Sequence, residues 1–139
     1  YQMRDTIIQS FEKRFQEVNW LGRDKSAKKL IGLIGENRHP INHLSGKTEV
    51  KNPDAPINLV HQEDCIKAIS KLIEKEKDNS VWNVVYPDHP PKKEYYSRIA
   101  SERQLTPPEF DHSEPSKGKK ISSEKLVKEL KFKFSQPIW

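Results

Sequence analysis

Residues 56–74 read PINLVHQEDCIKAISKLIE, and the pattern changes partway through. Pro56 to Val60 form a short uncharged run of strand character, with His61 and Gln62 as its exit. Beyond Glu63 the apolar residues Cys65, Ile66, Ala68, Ile69, Leu72 and Ile73 recur at helical spacing. Glu63 and Asp64 suit the positive N-terminal end of that helix, and Lys71, Lys75 and Lys77 suit its other end.

Upstream, LIGLIG at 30–35 holds six residues without a charge, as a buried strand does. ENRHPINHLSGK follows as a loop with one helical turn from Pro40. Earlier still, Ile7, Ile8, Phe11, Phe15 and Val18 predict an amphipathic helix over 5–18, capped by Asp5 or Thr6, before a basic loop to Lys29. Downstream, Asp78 to Ser80 stop the central helix, and VWNVVY at 81–86 predicts a third strand. The chain then changes character, with seven of its ten prolines at or after Pro87. A helix carrying Tyr95, Tyr96, Ile99 and Ala100 inward ends by Gln104 to Pro108. Residues 111–118 read as a loop, KKIS as a short strand, and Ser122 or Ser123 as the cap of a last helix through Leu126, Val127 and Leu130. Phe132, Phe134, Pro137, Ile138 and Trp139 must pack against something. Alternating helices and strands predict an α/β architecture with crossover connections.

The chain has 139 residues, 33% hydrophobic and 32% charged, with a mean hydropathy of −0.91, so any core is thin. No apolar run spans a membrane and no secretory leader is read at the start; a single cysteine excludes a disulfide framework. A cytoplasmic home is the expectation. The net charge of +5 sits wholly in residues 117–133, which carry seven lysines and two glutamates. A nucleic-acid binder spreads basic residues over a face with interleaved aromatics, so a solvated lysine-rich tail is the favoured reading and nucleic acid a disfavoured partner.

No phosphate-cradling glycine loop and no nucleophile elbow are present. Cys65 reads as a small buried apolar residue. His39 and His43 have an i, i+4 spacing that can hold zinc, but the glutamate base of that motif is missing, and no metal is expected. His61 and Asp64 flank a strand-to-helix junction, where open α/β sheets place their ligand crevice. Asp64 reads first as a helix-start charge; His61 is balanced between a structural hydrogen bond and a place on the pocket wall. Arg38 carries a fork suited to carboxylate or phosphate, or is a solvated loop residue.

The ordered series Leu30–Pro40 (with Gly35, Arg38, His39 and Pro40), Ile57-Asn58-Leu59-Val60-His61 with Asp64, then Val81–Val85 with Pro90 and Tyr95-Tyr96, and Lys120 to Phe132 resembles the extended and atypical short-chain dehydrogenase/reductases, the NAD-dependent epimerase/dehydratase superfamily. It is most similar to the nucleoside-diphosphate-sugar epimerase-like branch, over about residues 30–135. The resemblance implies the C-terminal part of a Rossmann-like NAD(P)-binding domain with a small substrate lobe. The segments would be 1–29, a helix and basic loop; 30–86, the Rossmann-like part; and 87–139, the lobe. The glycine-rich loop and the Tyr-x-x-x-Lys pair are absent: Tyr1, Tyr86, Tyr95 and Tyr96 are followed four residues on by Asp5, Pro90, Ile99 and Ala100. The chain alone is therefore expected to be inactive. The resemblance implies NAD or NADP as cofactor, with Leu33, Ile34 and Gly35 near the nicotinamide, and Arg38, His39, Asn58 and His61 toward a nucleotide-sugar-like substrate. No catalytic residue is assigned. The implied partner is the missing N-terminal half or a second copy. The alternatives are a non-catalytic nucleotide-sensing relative and a basic nucleic-acid interaction domain.

Overall fold

The computed structural model describes residues 32–35, 37–75 and 82–139. The helix expected over 5–18, the basic loop after it and the stop at 78–80 lie outside these residues. Two strands, β1 (Gly32–Ile34) and β2 (Leu59–His61), pair in parallel with Gly32 opposite Leu59 and Ile34 opposite His61. After β1 the chain reverses in a tight turn, where Gly35 and Arg38 exchange backbone hydrogen bonds of 2.8 and 3.3 Å. The single helical turn α1 (Ile41–Leu44) follows Pro40, as expected.

His61 ends β2 and caps α2 (Gln62–Glu74): its Nδ1 accepts from the Glu63 backbone N–H at 3.1 Å. Cys65, Ala68, Ile69 and Leu72 line the buried face of α2, the periodicity read from the sequence. α3 (Lys92–Glu102) begins after Pro91, and Gln104, at φ 57°, takes the left-handed conformation that commonly follows a helix end. α4 (Glu124–Leu130) starts with the Ser122 hydroxyl accepting from the Glu124 N–H at 3.1 Å, while Ser123 Oγ donates to the Val85 carbonyl at 2.7 Å. Of the two serines proposed as cap, Ser122 therefore supplies the bond.

Alternation along the strands sends neighbours to opposite faces. Val60 joins Cys65, Ile69, Leu72 and Leu126 in one buried cluster, with Leu33 packed against it. Leu59 and Ile34 join Ile41, Tyr95, Ile99 and Ile138 in the other. The small sheet is thus covered by α2 and α4 on one face and by α1 and α3 on the other, which is why both strands read as uncharged runs. Each cluster draws on residues both before and after position 87.

Among the described residues two expected strands are not continuous. Residues 82–86 bury Trp82, Val84 and Val85 but contain no continuous strand; the Tyr86 N–H reaches the Leu59 carbonyl at 2.8 Å, and the Val85 carbonyl is taken by the Ser123 hydroxyl. Around KKIS, the Asn58 side chain replaces a ladder, donating to the Lys119 carbonyl at 2.7 Å and accepting from the Ile121 N–H at 2.8 Å. At the Val85 carbonyl and around Ile121 a side chain thus satisfies backbone groups that hydrophobic patterning assigns to a neighbouring strand.

Gly32 is required by close approach: a Cβ there would collide with Cδ2 of Leu59, itself only 3% exposed within its cluster. Gly32→Ala should lower stability by about 1–3 kcal/mol through overpacking. An unchanged urea midpoint would show that Leu59 can yield.

Candidate functional site

The carboxyl ends of β1 and β2 open into a cavity of about 270 Å³, lined by Ile34, Gly35, His39, His61, Ile99, Glu102, Arg103 and Pro137 to Trp139. This is where a parallel sheet presents its ligand crevice. Of the residues singled out in the sequence, Ile34, Gly35, His39 and His61 meet here. Leu33 packs on the opposite face of the sheet. Arg38 is exposed on the turn after β1 and does not line this cavity. Asn58 stands before β2, on a separate cavity of about 260 Å³, with both ends of its amide engaged by residues 119–121.

The two histidines differ. His39 is 4% exposed. The Ile41 backbone N–H donates to its Nδ1 at 3.0 Å, which makes Nδ1 the unprotonated nitrogen and Nε2 the donor to Tyr95 Oη at 2.8 Å. Tyr95 in turn donates to the Ile138 carbonyl at 2.7 Å. His39 thus has both nitrogens committed within the protein. Burial and then the nearby charge of Arg103 lower its pKa from 6.5 to about 4. His61 spends only Nδ1, on Glu63; in the neutral ring Nε2 carries the proton, and it has no hydrogen-bond partner among the described residues. Burial pushes the Tyr95 and Tyr96 hydroxyls well above their usual range, so neither is poised to release a proton near neutrality. Burial likewise raises the Cys65 thiol, which behaves as the small apolar residue its position suggests.

The far wall of the cavity is the end of the chain, held from within. Asp64, fully buried, accepts from the Ser135 N–H at 3.0 and 3.1 Å, from the Ser135 hydroxyl at 3.0 Å and from the Gln136 N–H at 2.9 Å. Trp139 lies 5.0 Å from the Tyr95 ring, takes the Arg98 guanidinium over its own ring at 4.3 Å, and donates Nε1 to Asp88 at 2.8 Å. Residues 137–139, Glu102 and Arg103 were not legible as site residues. The only sequence signal was that the apolar tail must pack somewhere. Among the described residues no three His, Cys, Asp or Glu side chains converge to hold a metal, and no helix is long and apolar enough to cross a membrane.

No protein-family model matches the chain. Protein YeeZ of Escherichia coli K12 is 36% identical over 126 residues, an alignment covering 86% of this chain and 45% of YeeZ, so the chain spans about half the length of that relative. Among solved structures, a conserved protein of unknown function from Silicibacter pomeroyi DSS superposes with a TM-score of 0.61 at 21% identity, over 78% of this chain and 43% of its own. RMD from Pseudomonas aeruginosa, complexed with NADPH, gives 0.56 at 16% identity, over 77% and 41%. UDP-N-acetylglucosamine 4-epimerase from Bacillus cereus gives 0.55 at 18% identity, over 83% and 46%. The chain therefore shares the Rossmann-like α/β fold of these structures and spans only part of each. The coverage is consistent with a C-terminal half.

Two outcomes follow from the anchoring of the wall and from the buried imidazole. Asp64→Ala should lower stability by about 3 kcal/mol, because the lost bonds were made to a buried charge, and should shift the Trp139 indole N–H resonance; unchanged values in both would show that the tail is held elsewhere. His39 binds a proton near pH 6.5 when unfolded but only near 4 when folded. Its contribution is therefore complete above the unfolded value and is lost as pH falls toward the folded one, by up to about 3 kcal/mol. Urea titrations between neutral and acid pH should show this slope, flattened in His39→Gln; an equal slope in both proteins would rule His39 out as its source.

Proposed function

We propose that the chain is the substrate-side half of an NAD(P)-dependent oxidoreductase or epimerase acting on a nucleotide-sugar-like molecule. The observation that carries this reading is the cavity at the carboxyl ends of two parallel strands. It brings together Ile34 and Gly35, on the proposed nicotinamide side, with His61 on the proposed substrate side. The NADPH bound in one structural relative and the sugar-nucleotide named in another support the same class.

A cavity of about 270 Å³ suits one ring of a dinucleotide or the reacting end of a substrate, not a whole NAD(P). Ile34 and the backbone of Gly35 would border the nicotinamide ring, and the glycine-rich pyrophosphate loop would come from sequence preceding this chain. The cofactor, when bound, would accept or deliver hydride. The chain's own residues shape the crevice: Ile34, Ile99 and Ile138 exclude water, and His61 Nε2–H offers a donor. Arg38, outside the cavity, and Asn58, engaged with 119–121, could reach only the outer parts of a long substrate. By the same reading the partner of this half is the preceding half of its parent, or a second copy.

The test compares the 139-residue chain with the longer polypeptide encoded upstream of Tyr1. The longer protein is expected to bind NADPH by fluorescence titration and to exchange hydride with a nucleotide sugar, whereas the chain alone does neither. Nicotinamide reduction by the chain alone would overturn the account, as would a longer protein that fails to bind nicotinamide. Binding without turnover, together with a broken Tyr-x-x-x-Lys, would assign the parent to the sensing class instead.

A further inference from the structure

We infer that Arg103 is a carboxylate-binding residue of the strand-end cavity, so that the molecule bound there carries a carboxylate. The inference deepens the proposed reading of this crevice as a substrate site. Arg103 follows α3 as its C-terminal cap residue, where its backbone N–H bonds the Ile99 and Ser101 carbonyls and leaves the guanidinium uncommitted. The adjacent acid, Glu102, also lines the cavity, but its carboxylate is paired with Arg98 Nε at 2.9 Å. Among the described residues Arg103 makes no ion pair. Its charge nevertheless reaches the cavity wall, acting on both His39 and Tyr95.

A second donor stands on the same cavity. His61 has given Nδ1 to Glu63, so its Nε2–H is available. The rest of the wall mixes apolar side chains, Ile34, Ile99, Ile138 and Trp139, with His39 and the Glu102 carboxylate. A guanidinium fork grips a carboxylate through two parallel bonds, and its one positive charge balances one negative charge. A phosphate dianion would carry one charge more than Arg103 balances, next to the Glu102 carboxylate on the same wall. Arg38, the arginine that the sequence offers for this task, is exposed outside the cavity.

The test is an NMR titration of the chain itself with three probes: benzoate, glucuronate and inorganic phosphate. The Arg103 Nε–H and Trp139 indole resonances report on the site. Benzoate and glucuronate are expected to give saturable shifts there, and phosphate none over the same range. Arg103→Gln should weaken carboxylate binding roughly tenfold or more, Arg103→Lys should recover only part of it, and Lys47→Gln, an equal loss of charge on an exposed loop, should leave it unchanged. The absence of a saturable shift, an unaltered affinity in Arg103→Gln, or phosphate binding as tight as benzoate would overturn the inference. Arg103 is exposed, and an unchanged amide spectrum of the variant separates loss of binding from loss of fold. No nicotinamide is present in this experiment, so its failure is distinct from failure of the oxidoreductase reading. Benzoate binding without glucuronate binding would sustain the carboxylate site and count against a sugar substrate.

Discussion

The carboxylate of Asp64 is the contact on which the site depends. It sits in the first turn of α2, immediately after the strand, and is fully buried. A charge in that position is tolerable only when its lone pairs are met, and residues 135 and 136 meet them with two backbone N–H groups and a hydroxyl. Lys67, one turn on, adds a cation at 3.8 Å and ties down the Lys133 carbonyl at 3.1 Å. The consequence is spatial: once Ser135 is fastened to the start of α2, Pro137, Ile138 and Trp139 lie across the ends of both strands.

That fastening links two otherwise separate systems. The Ile138 carbonyl receives the Tyr95 hydroxyl, which accepts from His39, whose other nitrogen holds the start of α1. Tail, α3 and the loop after β1 are therefore joined by one directional chain of hydrogen bonds, polarised toward the Ile138 carbonyl. The same arrangement decides which histidine is available. His39 is absorbed into the frame, and His61, which caps α2 with one nitrogen, keeps the other at the cavity.

The secondary-structure skeleton was legible wherever hydrophobic periodicity and local capping agree. The turn after Pro40, the helix from Gln62, the proline-led helix with Tyr95 and Tyr96 inward, and the serine-led helix over 124–130 all follow from spacing. The strands expected at 81–86 and 119–122 are not continuous among the described residues, for a related reason. Uncharged or β-branched residues show that a segment is buried or extended; they do not say what its backbone bonds to. Here the Ser123 hydroxyl takes the Val85 carbonyl and the Asn58 amide takes the Ile121 N–H, across separations of 38 and 63 residues. No window of sequence reports such a partner.

The sequence by itself determined the fold class, because short uncharged strands alternating with one-sided helices have few ways to bury both faces of a sheet. It also placed Cys65 inside a core and His61 at a strand-to-helix junction, since both follow from position within one periodic element. Only the tertiary structure decided which side chains share the cavity. Leu33 and Ile34 are neighbours in sequence, yet the pleat sends them to opposite faces. Arg38 and Arg103 look equally free in sequence, yet one lies on the outside of a turn and the other on the cavity wall. Trp139 reaches the site because a carboxylate 75 positions earlier fixes the chain just before it. Convergence of that kind depends on contacts between distant segments, which local propensity does not encode.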